Sequence, residues 1–207
     1  LLEVMEERQT TVDGVTRKLP EPFIVLATQN PIGSAGTQML PDSQMDRFMI
    51  KLGMGYPDLK SQINILKDRH RRNPLDEINM ITGREQLIKM QEAADAVYIA
   101  DSVYEYIARL ADATRRNEMI QLGISPRGTL ALCRMAKAYA FVTGRTFVIP
   151  EDVSAVFNDV CGHRIIVSPK AKIAERKAED ILADILRTEP VPQIRQENAT
   201  GAEGKKR

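Results

Sequence analysis

The 207-residue sequence contains no tryptophan, two histidines and two cysteines, and its aromatic side chains amount to five tyrosines and five phenylalanines. Each shortage excludes something. A Ser-His-Asp hydrolase or a histidine-ligated metal hydrolase is not expected, because both histidines, His70 and His163, read as surface or satisfied core side chains. Cys133 and Cys161 sit in helical patterns without metal-ligand spacing, so they read as small buried apolar groups in a reducing compartment. No apolar run approaches the roughly 20 residues that a membrane span needs. Glu3, Glu6 and Glu7 interrupt the first residues too early for a signal peptide. A soluble, cytoplasmic chain is expected. Charge of either sign is also missing in excess: 29 Lys+Arg against 28 Asp+Glu leave a formal +1. Such a balance gives no global field to steer the chain to nucleic acid or acidic lipid. What remains is 43% hydrophobic, enough for a core in one or two domains.

The most informative stretch runs from Phe23 to Tyr56. Phe23–Ala27 is a short apolar run rich in β-branched residues, and it reads as a strand buried on both faces of a parallel sheet. Pro31 ends it and holds Asn30 in extended geometry, just past the carboxyl end of that strand, where open α/β sheets bind ligands. A loop with Gly33, Ser34 and Gly36 follows. Pro41 and Asp42 then open a helical turn carrying Asp46 and Arg47. Alternation of Ile50, Leu52 and Met54 predicts a second strand over 49–54. Upstream, residues 1–7 read as the end of a helix, and Arg8 to Leu19 as a hairpin turning at Asp13-Gly14.

After Tyr56-Pro57-Asp58 the pattern is helical. Helices are expected over 60–71, 84–96 and from Ser102, whose Ser-Val-Tyr-Glu has the form of a capping box, to Arg116. Ser125 and Pro126 suit the cap and first turn of the longest helix, which Gly144 stops. On it, Leu132, Met135, Ala136 and Tyr139 share one face, and Arg127, Arg134 and Lys137 the opposite one. Pro150 opens a helix to Val160. Residues 163–167 read as extended and 170–187 as the last helix. Beyond Thr188 the composition is that of a disordered tail. The basic cluster from Lys67 to Arg72 reads as a solvated helix end, lacking interleaved stacking aromatics.

Taken in order, LLEVMEERQTTVDG, LPEPFIVLATQNP, LPDSQMDRF, GYPD, GISPRG, AKAYAFVTGR, IPEDV and HRIIVS resemble the MoxR family of AAA+ ATPases. The resemblance covers roughly residues 1 to 190, and the ordered set carries it rather than any one motif. It implies an α/β fold: residues 1–57 as the distal part of a three-layer nucleotide-binding core, 58–190 as an all-helical lid, and 191–207 as a tail. It implies ATP and Mg²⁺ as cofactors. Neighbouring subunits of a ring, a hexamer in the complete protein, are the implied partners, with a von Willebrand factor A-domain protein or another protein as client. No G-x-x-x-x-G-K-[ST] and no apolar strand ending in Asp-Glu occurs here, so the phosphate loop and the Mg²⁺ ligands are expected upstream of Leu1. The hairpin faces the ring's pore in such proteins; read from its residues, it is equally an edge hairpin.

Phosphate chemistry needs donors and positive charge where the transferring oxygens gain charge, and a group to orient water. The resemblance assigns Asn30 to sensor 1, Arg47 to the arginine finger that reaches a neighbour's nucleotide, and Arg127 to sensor 2, which touches the γ-phosphate from its own lid. A guanidinium suits both arginine roles because it stays charged and presents a planar fork. Each residue also has a plainer reading. Asn30 can bond its own loop backbone, Arg47 can pair with Asp46, and Arg127 can be a solvated cation at a helix start. The expected function is ATP-driven remodelling of a protein client. A stand-alone helical interaction module and a nucleic-acid-dependent AAA+ motor subunit are the alternatives.

Overall fold

The computed structural model describes residues 2–29, 40–68 and 74–192. Asn30, the glycine loop, His70 and the terminal tail lie outside the described residues. Among the described residues, every buried apolar side chain falls between Val97 and Ile185. The core therefore sits wholly in the helical half of the chain.

Its first wall is α5 (Asp101–Arg116), which buries Val103, Tyr106, Ile107, Leu110, Ala111 and Thr114 at the three- and four-residue spacing of one helical face. The helix begins one residue before Ser102, and Ala100 is its cap. Ala100 already offers its carbonyl to Val103 and Tyr104 at 2.9 and 3.1 Å. Ser102 and Glu105 thus lie inside the first turns, and the expected capping box is not formed. Thr114 is fully buried yet satisfied: its hydroxyl donates to Ala111 O at 2.7 Å and accepts Ile124 N–H at 3.1 Å.

The central helix, α6 (Pro126–Val142), starts where its residues dictate. The Ser125 hydroxyl accepts Gly128 N–H at 3.1 Å, and Gly144, at φ +80°, takes the left-handed conformation that ends helices. Its buried face is Gly128, Ala131, Leu132, Ala136 and Ala140. Of the face expected from the sequence, Leu132 and Ala136 are buried and Met135 packs against the core, whereas Tyr139 is 40% exposed. Small side chains let α6 lie closely on α7 (Pro150–Cys161), where Val153, Val156, Phe157 and Val160 fill the contact. Asp152 anchors the start of α7. Its carboxylate accepts Ile149 N–H at 2.9 Å and the fork of Arg145. Cys161 is buried and free, and burial pushes its thiol up to about 12, which makes it inert.

The final helix is broken in two, α8 (Pro169–Ile173) and α9 (Ala178–Thr188). Arg176 N–H returns to Ala171 O at 2.9 Å and Glu175 N–H to Lys172 O at 3.1 Å, with Glu175 at φ +53°. This is a Schellman closure made by a glutamate, so no glycine announces it. A short antiparallel pair, β3 (Ile120–Leu122) and β4 (Ile166–Val167), and the α4 helix (Arg84–Asp95) complete the unit. Lys137 of α6 donates to Asp95 O at the end of α4 at 2.8 Å.

The N-terminal part holds α1 (Leu2–Glu7), the antiparallel pair β1 (Gln9–Val12) and β2 (Val15–Lys18), and α2 (Asp42–Met45). Asp13 and Gly14, at φ 51° and 77°, make the positive-φ turn that suits a two-residue hairpin. Further on lies α3 (Leu59–Asp68). Two expected strands are not formed. Residues 23–27 and 49–54 pair with nothing in either of the two-stranded sheets among the described residues. A strand exists through a ladder of its neighbours' hydrogen bonds, and among the described residues neither run forms one. Leu26 and Met54 consequently stand 91% and 95% exposed. Among the described residues, no helix is long and apolar enough to cross a membrane.

Candidate functional site

Arg47 and Arg127 come together on one carboxylate. Arg47 follows α2 on a tight turn, closed by Arg47 N–H to Gln44 O at 3.2 Å and Phe48 N–H to Met45 O at 3.1 Å. Its partner is not the adjacent Asp46. Nη2 donates to Glu6 Oε2 at 3.2 Å. Nε stands 3.0 Å from Glu6 Oε1, at an angle that makes no hydrogen bond, so this buried N–H has no acceptor. Arg127, in the first turn of α6, donates Nη2 to the same Glu6 Oε1, and its Nη1 lies 3.9 Å from Asp46 Oδ2. Hydrogen bonding from Arg47, with Arg127 close by, holds the Glu6 carboxyl below its usual range. Asn30 lies outside the described residues.

Asp46 faces the other way. It accepts the Ser125 hydroxyl at 3.1 and 3.3 Å and Arg164 Nε at 3.0 Å. Among the described residues Arg164 is the buried cation, its side chain 2% exposed. Burial depresses its pKa, and Asp46 opposes that shift. Its path runs past Gly128, where a Cβ would stand 2.8 Å from Arg164 Cδ. That close approach is the reason for a glycine in the first turn of a helix.

Beside it, His163 Nε2 lies 3.1 Å from Phe48 O. Burial first, and then the Arg164 charge, lower the His163 pKa. The unfolded imidazole therefore binds a proton at a higher pH than the folded one, so stability is full above about pH 6.5 and declines as pH falls below it. We expect the melting temperature of the chain to drop between about pH 7.5 and pH 5, and His163→Gln to flatten that drop. Equal pH slopes for both proteins would count against it.

Sequence reasoning does not reach Glu6, which lies in the helix end over residues 1–7, or Arg164, which lies in the segment expected to be extended over 163–167. One signal for Arg164 was present: a lone cation followed directly by Ile165, Ile166 and Val167. Two arginines sharing one carboxylate, one with an unused N–H, form a donor set suited to a phosphate group. The described residues contain no group of three His, Cys, Asp or Glu side chains able to hold a metal ion; they fit the anion and not the Mg²⁺.

Residues 1–50 match the family model described as the ATPase family associated with various cellular activities (AAA), and residues 112–185 match the AAA lid domain. The chain is 40% identical over 93% of its length to YeaC, an uncharacterized protein of Bacillus subtilis. It is 35% identical over 94% to the chaperone MoxR1 of Mycobacterium tuberculosis. It spans 60% and 53% of those two relatives. A crystal structure of a candidate ATPase from Cytophaga hutchinsonii superposes with a TM-score of 0.85 at 33% identity, covering 93% of this chain and 61% of that one.

Proposed function

The chain belongs to the MoxR family of AAA+ ATPases, and we propose that it supplies the finger and lid of an ATPase whose turnover remodels a protein client. The observation that carries this reading is the convergence of Arg47 and Arg127 on Glu6. Two cations from segments far apart in sequence are gathered at one surface, each held by the carboxylate of Glu6, which each gives up on meeting the phosphate of its own nucleotide. In the complete protein, taken as this chain preceded by a phosphate loop and an Asp-Glu motif, those upstream groups bind ATP and Mg²⁺. The metal then supplies charge neutralisation on the phosphates.

The residues of this chain do the rest. Arg47 reaches the nucleotide of the next subunit in a ring, a hexamer, and offers its fork to the charge that develops on the transferring oxygens. Arg127 reads the γ-phosphate in its own subunit, and Asn30 orients the attacking water. Arg47 and Arg127 exchange the carboxylate of Glu6 for phosphate as they do so. Residues 1–57 act with the nucleotide-binding core and 58–190 as the lid. The location is cytoplasmic, and a von Willebrand factor A-domain protein is one candidate client; the relative named as a chaperone supports remodelling as the task.

The 207-residue chain alone is expected to hydrolyse no ATP above a blank, while the complete protein turns it over. Turnover by the chain alone would overturn the division of labour, and a complete protein that neither binds nor hydrolyses ATP would overturn the function.

A further inference from the structure

The five N–H groups of the Arg164 guanidinium meet five acceptors. Nε donates to Asp46 Oδ1 at 3.0 Å, Nη1 to Met49 O at 3.1 Å and to Val160 O, and Nη2 to Asp46 O at 3.2 Å and to Phe48 O. Arginine has five donors in a fixed fork, so all are used. Four of the five acceptors belong to residues 46–49, the turn that presents Arg47. The fifth is the carbonyl of Val160 at the end of α7.

Other bonds run the same way. His163 Nε2 contacts Phe48 O at 3.1 Å, Lys51 N–H donates to Asp159 O at 2.9 Å, and the Ser125 hydroxyl reaches Asp46. Ile50 packs against the helical core. Residues 46–51 are thus tied, among the described residues, to Ser125 at the start of α6, to α7 and to the segment after α7.

We infer that Arg164 is the positioning residue of Arg47, fastening the turn of 46–49, at the edge of the core portion, to the helical lid so that a movement of the lid is passed to the turn. Pulling the turn away would leave a buried guanidinium facing four lost acceptors, an arrangement that strongly disfavours separation. A lid rotated by nucleotide in its own subunit therefore carries Arg47 with it, and the state of one site is delivered to the next through the placement of the finger. The inference rests on the reading of Arg47 as a finger, and the fastening itself can be read without any activity.

The test uses the complete protein with Arg164→Gln and Arg164→Lys. Amide exchange over residues 42–50, without nucleotide, is expected to rise in Arg164→Gln by about tenfold or more while α5 and α6 keep wild-type protection. kcat should fall by up to about 10²-fold, the effect of a finger displaced by about 1 Å, with KM for ATP within about twofold of wild type. Arg164→Lys should lie between the two, since it keeps the charge and loses the fork. Unchanged exchange over 42–50 in both variants would overturn the fastening, whatever the activity. Faster exchange there with unchanged kcat would overturn the positioning role. Loss of protection throughout α5 and α6 in Arg164→Lys as well would make Arg164 a general core residue. Should Arg164→Gln not fold, Arg164→Lys alone decides by the same readings. If Arg47→Ala leaves turnover intact, the finger reading fails while the exchange result stands.

Discussion

Arg47→Ala in the complete protein is expected to lower turnover by roughly 10³- to 10⁵-fold, the effect of removing an arginine finger from a phosphoryl-transfer site, and to leave ATP affinity nearly unchanged. The side chain is well placed for such a split. It sits on a turn whose backbone is held on both sides, at Asp46 and at Phe48 and Met49. Its ties are Glu6 and the Ser43 carbonyl, 3.1 Å from Nη1. It is outside the hydrophobic core, so truncation leaves no cavity there. The loss should fall on the transition state, where charge develops, and not on ground-state binding. Isothermal titration with a slowly hydrolysed ATP analogue, set against steady-state rates, separates the two. A parallel loss of affinity would make Arg47 an ordinary binding residue.

Arg127→Ala is expected to weaken ATP binding by about tenfold to a hundredfold and ADP binding far less. A charge-assisted contact to a γ-phosphate is worth roughly 1.5–3 kcal/mol, and ADP has none to offer. Arg127→Lys should recover only part, because an ammonium cannot reproduce the fork. The residue is half exposed, with ion pairs to Glu6 and Asp46, and it lies outside the hydrophobic core, so the melting temperature should change little. Equal losses for ATP and ADP would contradict γ-phosphate sensing. Because Arg127 and Arg47 share Glu6, serving two different nucleotides requires their side chains to leave it in different directions while the turn and the lid stay joined. Mixtures of Arg127→Ala subunits with subunits lacking a working phosphate loop report whether the residue serves its own site. Recovered affinity for ATP in the mixture would assign it to the neighbour's instead.

What the sequence makes legible is whatever is decided within a few residues. Asp13-Gly14 forces its turn, Ser125-Pro126 opens α6, Gly144 closes it, and the helices follow from apolar spacing. The two strands were misjudged for the opposite reason. A β-branched run such as Phe23–Ala27 has the propensity, but a ladder is a property of neighbours, and among the described residues the run forms none. Glu175 hid the break in the last helix because a left-handed glutamate leaves no mark in the residue pattern. The site divides in the same way. Arg47 and Arg127 were singled out from their motifs, whereas the groups that orient them came from far along the chain: Arg164 and Asp46 are 118 residues apart, and Arg127 and Glu6 121. Only folding brings such pairs together.

The central claim, that Arg47 completes the site of a neighbouring subunit, is tested most directly by mixing two inactive preparations of the complete protein. One carries Arg47→Ala and binds ATP with an intact phosphate loop. The other has a broken phosphate loop and an intact Arg47. If the finger acts across the interface, the mixture hydrolyses ATP although neither component does, with a rate that peaks at intermediate ratios. A mixture as inactive as its parts at every ratio, in assemblies shown to exchange subunits, would contradict it.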